Sequence, residues 1–279
     1  MNNTFSFNRF KNLLLNDGKM YFRKFGTSLI VCCCLNAIFW IINLLFGTET
    51  NSMSRFGFLC VWTALAMMMV PEKVYGKANL SREGVGFAMM PTSSLEKFIS
   101  MFLYCAILTP LIVFFGGYLV DTLLSLFPFG GFEKPIHLYT INEVVRMIDN
   151  SEGVVQSSNI ELSFGDVFPV GVIRISLYVG IIQWAAIFML GNMVFKKHKA
   201  GKTFASYLGV SYVLSTIFGL AFTSSSSRLK QWLENMDSVS EEEMIQIAHN
   251  GMICGMVVGI IITGVLLFFT YHKIKTQKY

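Results

Sequence analysis

Six apolar runs, at 26–46, 51–70, 98–126, 167–195, 203–222 and 252–271, occupy about half of this 279-residue chain. Most reach the ~20 residues that a helix needs to cross a ~30 Å hydrocarbon layer. The second run is the shortest in purely apolar residues, so Asn51, Ser52, Ser54 and Arg55 must extend it outward. Tilt or local thinning of the bilayer makes up the remaining difference. The expectation is an all-α integral membrane protein of six transmembrane helices, with both ends on one side.

Charge decides which side. Sixteen of the 22 Lys and Arg residues flank alternate ends of these runs: five between Arg9 and Lys24, four between Lys73 and Lys97, four between Lys196 and Lys202, and Lys273, Lys275 and Lys278. The opposite flanks hold Arg55, Lys134, Arg146, Arg228 and Lys230, with Arg174 inside the fourth run. Short cytoplasmic loops retain positive charge during insertion, which predicts cytoplasmic termini. The net charge of +5 is therefore read as topology signal and as contact with anionic headgroups of the bilayer, not as a nucleic-acid surface. The first 25 residues are polar and basic with no cleavage pattern after the apolar run, so the first span is expected to remain as an anchor.

Residues 1–25 interleave Phe7, Phe10, Leu13, Leu14 and Phe22 with Arg9, Lys11, Lys19 and Arg23. That pattern predicts an amphipathic helix in the headgroup plane, broken at Gly18. The loop 71–97 is longer than a simple bundle connection. Pro71 is expected to end the preceding helix, and Gly76, Gly84 and Gly86 to allow turns. Ser93 followed by Glu96 has capping-box spacing and predicts a helix start. On the other side, the acidic loop 128–166 and the segment 224–250 predict a small outer cap. Ser240 with Glu243 predicts a helix just before the last span.

Catalytic and metal chemistry has no constellation here. Gly201-Lys202-Thr203 resembles the end of a phosphate-binding loop, but position 196 is lysine and no strand precedes it. His137, His198, His249 and His272 lack ligand spacing, and Cys32, Cys33, Cys34, Cys60, Cys105 and Cys254 all fall in or beside apolar runs. No cofactor, metal or catalytic residue is expected in this chain, and it is not read as an enzyme. Within the spans, Asp121 and Arg174 lie near the outer ends of the third and fourth runs. Both can reach the headgroups or pair with each other, a structural role, and as a pair they are a candidate outer gate.

The topology, the amphipathic start, the long inner loop and the missing ATPase together resemble the membrane subunit of a type-2 ATP-binding-cassette exporter of the bacterial permease-like branch. Met90-Pro91-Thr92-Ser93-Ser94-Leu95-Glu96-Lys97-Phe98 is similar to the Pro-Ala-Ser-x-x-Glu-Lys-aromatic stretch of that family, with Thr92 in place of alanine. Gly191-Asn192-Met193-Val194-Phe195-Lys196-Lys197, followed by Lys202-Thr203, is similar to its turn between the fourth and fifth spans. The resemblance implies a bacterial cytoplasmic membrane, a coupling loop at 71–97 and a separate ATP-binding-cassette ATPase subunit docked on it. It also implies a second permease chain, the same or related, completing the substrate path. Glu72, Lys73, Tyr75, Arg82, Glu96 and Lys97 are the docking candidates. The competing readings are a non-transporting sensor or assembly protein whose outer cap binds a partner, and a secondary transporter, for which inverted repeats and broken spans are lacking.

Overall fold

Leu13, Asp17, Tyr21, Phe25, Leu29 and Cys32 recur every three or four residues and are all buried, the spacing that places side chains on one face of a helix. In the computed structural model, which describes residues 5–46, 52–80, 84–126, 136, 170–224 and 241–276, they lie on α1 (Phe7–Leu45), one element of 39 residues. At 1.5 Å per residue it is about 58 Å long, far more than the ~30 Å of hydrocarbon. The amphipathic start and the first apolar run are thus a single helix, and the break expected at Gly18 does not occur.

Gly18 serves close approach instead. A Cβ there would stand 2.6 Å from the Tyr104 hydroxyl oxygen, which donates 2.7 Å to the Leu14 carbonyl. Gly18→Leu is expected to destabilise the fold by about 1–3 kcal/mol, the usual penalty of overpacking. Thermal unfolding in detergent measures it, and an unchanged midpoint would show that α1 has room to move away.

The second helix, α2 (Ser52–Tyr75), contains Pro71 rather than ending at it. Proline deletes one N–H, and the last turn of the helix is held from outside. Lys24 Nζ donates 3.3 Å to the Val74 carbonyl and Asn192 Nδ2 donates 3.3 Å to that of Tyr75. A 3-10 turn (Gly76–Asn79) and α3 (Gly84–Met89) complete the connection. The third apolar run is one long helix in three parts: α4 (Ser94–Phe102), a π-turn (Leu103–Leu108) and α5 (Thr109–Ser125). Its start is the expected capping box, with Glu96 N–H donating to Ser93 Oγ and Ser93 N–H to Glu96 Oε2.

After α6 (Val170–Val194) the chain turns sharply into α7 (Lys199–Ser224), where His198 adopts a left-handed φ of 48°. Gly191 packs directly on the Thr203 side chain, which keeps the α6–α7 hairpin tight. The last helix, α8 (Glu241–Thr276), spans 36 residues without interruption. A separate helix before the last span is therefore replaced by an extension of it, opened by Glu241, Glu242 and Glu243 where negative charge favours a helix start.

Among the described residues every regular element is helical, and five helices are long and apolar enough to cross a membrane: Phe7–Asn43, Ser54–Asn79, Ser94–Ser125, Ile175–Val194 and Ile245–Thr276. They carry the first, second, third, fourth and sixth apolar runs, as a multi-pass membrane protein requires. The fifth run lies on α7, which is not one of the five; Ser206, Ser211, Ser215 and Thr216 dilute its apolar character.

α1, α2 and α5 pack against one another, and α6 joins this group to α7 and α8. The buried core of Tyr21, Phe25, Leu59, Val70, Met101, Cys105, Met189 and Met193 gathers residues of α1, α2, α4, the π-turn and α6. Of Gly251, Gly255 and Gly259, spaced every four residues on the last helix, only Gly259 meets a neighbour among the described residues, Val179 at 3.7 Å. The outer-cap expectations at 128–166, Ile136 excepted, and over 225–240 of the segment 224–250 lie outside the described residues.

Candidate functional site

The segment from Glu72 to Lys97 is tied to α1, α6 and α7 by buried and half-buried polar contacts. Glu72 leaves the last turn of α2 and meets the start of α7, where its carboxylate accepts from the backbone N–H of Lys199 (3.2 Å) and Ala200 (2.8 Å). Those amides have no partner within their own helix, and the negative charge also opposes the helix dipole. The Lys199 ammonium returns the connection, donating 2.5 Å to the Gly76 carbonyl. Burial pushes the Lys199 pKa below the ordinary lysine value, and the Glu72 carboxylate partly counters that.

Tyr75 reaches the opposite way. Its hydroxyl donates 3.2 Å to Asp17 Oδ2, which also accepts from the Ser100 hydroxyl at 2.6 Å. One buried carboxylate of α1 thus joins α2 and α4. Lys73 is exposed, donates 2.6 Å to Ser28 Oγ and lies 5.7 Å from the Phe25 ring centroid.

At the start of α4, Glu96 has no exposed side-chain surface. Its Oε1 accepts from the Ser6 N–H at 2.8 Å and from Arg9 Nη2 at 3.4 Å, while Oε2 accepts from the Ser93 N–H at 2.9 Å. The first turns of α1 and α4 therefore converge on one carboxylate. Lys97 is buried, donates 2.6 Å to the Phe87 carbonyl and sits 5.0 Å from the Phe87 ring centroid, which fixes α3 against α4.

Of the expected docking residues, Glu72, Tyr75, Glu96 and Lys97 thus turn into the protein and hold the segment in place. Lys73 is exposed, and Arg82 lies outside the described residues. The segment instead presents outward two residues that sequence reasoning misses: Met89, 78% exposed, and Leu95, 41% exposed. Their signal in the sequence is faint, because Val85, Phe87 and Met90 stand in the same loop and nothing local marks which of its apolar residues face outward. Asp17 also escapes that reasoning, although it is the one acidic residue among the first 48.

At the far end of α2 and α5, Asp121 joins the two helices. Its Oδ1 accepts from Arg55 Nη1 at 2.7 Å and its Oδ2 from the Ile136 N–H at 2.8 Å, all buried. The Arg174 side chain lies outside the described ones, so the expected pair of Asp121 with Arg174 falls there too; among the described side chains the partner of Asp121 is Arg55. In the sequence Arg55 reads only as an extension of a short span, and its position one helix away from Asp121 becomes visible only in three dimensions.

Comparisons with protein-family profiles, with curated proteins and with solved structures find no match for this chain. The functional reading therefore rests on charge, topology and the geometry above.

Proposed function

We propose that this chain is the permease subunit of an ATP-binding-cassette exporter, with the segment 71–97 as the surface on which a separate ATPase subunit docks. In this reading α7 is the fifth of six spans, both ends face the cytoplasm of a bacterial cell, and a second permease chain completes the path. The observation that carries the proposal is the anchoring of the segment. Glu72 holds it to α7, Tyr75 to α1, and Glu96 to the start of α1, so a push on its surface is delivered to several spans at once. Exposed Met89 and Leu95 supply apolar anchors for a partner, and the charge sorting places them where a soluble ATPase is found. Nucleotide bound by the partner then biases a two-state equilibrium of the spans.

Purification of the tagged chain from its native membrane in several mild detergents tests this. An ATP-binding subunit is expected to accompany it, and Met89→Glu combined with Leu95→Glu is expected to cut its recovery about ten-fold, as loss of central anchors does. Recovery without such a subunit in every detergent would overturn the proposal. A non-transporting sensor or assembly protein is the second reading, favoured by Ile136, which is fully buried with its amide on Asp121 and so ties the long 128–166 loop to the bundle. Under that reading a different protein, bound through that loop, is recovered instead.

A further inference from the structure

The helix from Ser94 to Ser125 changes hydrogen-bond register midway, over Leu103–Leu108. Its cause is legible in Pro110. Proline has no N–H to give, and in a plain α-helix its ring would collide with the carbonyl four residues back, that of Ala106. A widened turn just before it relieves the collision. The Thr109 N–H accordingly reaches five residues back, to the Tyr104 carbonyl.

Side chains reinforce that register. The Thr109 hydroxyl donates 2.7 Å to the same Tyr104 carbonyl. The Tyr21 hydroxyl of α1 lies 3.0 Å from Thr109 Oγ1, and because the Thr109 proton is already committed, Tyr21 is the donor. Its ring also packs on Tyr104, with centroids 5.3 Å apart. All three side chains are buried.

The two halves of this helix are docked on α1 independently. Ser100 of α4 meets Asp17, and Glu96 meets Ser6 and Arg9. On α5, Gly116 packs directly against Cys33 of α1, while Asp121 is held by Arg55 of α2. Inserting or removing one residue from a helical turn rotates the remainder of the helix by about 100°. Both docks can therefore be satisfied together only while the π-turn is present where it is.

We propose that the π-turn is a conformational joint, latched by the Tyr21–Thr109 hydrogen bond, at which α4 turns relative to α5. Pro110 prevents the turn from closing into a plain α-helix. With the latch released, the widened turn shifts toward α4. The α4 end then moves with the 76–93 segment while α5 stays docked on α1. This inference does not depend on the identity of any partner.

Two engineered thiol pairs measure the two docks against the same helix. With the remaining cysteines replaced by alanine, native Cys33 with Gly116→Cys reports the α5 dock, and Asp17→Cys with Ser100→Cys, which puts a thiol pair in place of that contact and leaves Glu96 holding α4 to Ser6 and Arg9, reports the α4 dock. Each is oxidised in native membranes and scored by protection from a maleimide. Both pairs are expected to cross-link in the parent chain. Thr109→Val or Tyr21→Phe is expected to lower the α4 yield about five-fold, as loss of one buried hydrogen bond allows, with the α5 yield unchanged. Pro110→Ala, which permits a plain α-helix, is expected to separate the two yields in the same way. Thr109→Ser, which keeps the hydroxyl, is expected to preserve both. Unchanged yields in all three disruptive variants would overturn the joint, and so would a parallel fall of both pairs, which describes one rigid helix moving or unfolding as a body.

Discussion

Asp121→Ala is expected to destabilise the folded chain by about 3–5 kcal/mol, the usual consequence of removing one member of a buried ion pair. Arg55 is the charge left behind, since its guanidinium donates 2.7 Å to Asp121 and almost none of either side chain is exposed. The Ile136 amide loses its acceptor in the same step. Thermal unfolding in detergent provides the measurement. Two companions separate charge from shape. Exchanging the pair, Arg55→Asp with Asp121→Arg, is expected to recover only part of the loss, because an arginine cannot accept from Ile136. Replacing both by apolar residues, Arg55→Met with Asp121→Leu, is expected to be milder than either single change, because no buried charge remains. A single Asp121→Ala variant within about 1 kcal/mol of the parent would mean that water reaches the pair and that it does not lock this end of α2 to α5.

Glu96→Ala is expected to cost about 2 kcal/mol or more, since it removes half of the capping box of one helix and the carboxylate that half-buried donors at the start of another share. The distinguishing consequence is spatial. A residue that served only the capping box of α4 would, when lost, loosen amides near Ser93 and nothing else. Because Glu96 also holds the Ser6 N–H and Arg9, 90 and 87 residues away in sequence, amides at the start of α1 are expected to exchange about ten-fold faster as well. Hydrogen exchange read by mass spectrometry on the peptide covering residues 5–12 decides this. Protection there equal to that of the parent would remove the link between α1 and α4, and with it part of the anchoring on which the proposed docking surface depends.

Glu96 also shows how much of the site is legible in the sequence. Its spacing from Ser93 is a local pattern, satisfied within one turn of helix, and the sequence announces it. The contacts with Ser6 and Arg9 carry no such signature. They arise because α1 does not bend at Gly18 but continues alongside α4, and that depends on Tyr104 finding no Cβ in its way. Gly18 and Pro71 would be breaks under rules that hold for isolated helices. Here neighbouring helices supply the contacts that make continuity favourable, Tyr104 at one position and Lys24 with Asn192 at the other.

The docking candidates show the same division. Glu72, Tyr75, Glu96 and Lys97 stand out in the sequence because charged and polar residues in a long loop suggest a partner. All four have partners within the chain, and apolar Met89 and Leu95 occupy the surface instead. Loop composition cannot separate the two cases, because a carboxylate that caps a distant helix looks the same in sequence as one that faces water.

By itself the sequence determined that apolar helices of membrane-crossing length dominate the chain, and it located the start of α4. These properties depend on length, on hydrophobicity and on contacts a few residues apart. Only the tertiary structure decided that Asp121 belongs with Arg55, that Asp17 joins three helices, and that a π-turn sits where Thr109 and Tyr21 meet. Each of these joins groups on different helices. Many pairings of helices are compatible with the same apolar pattern, and close packing selects one of them.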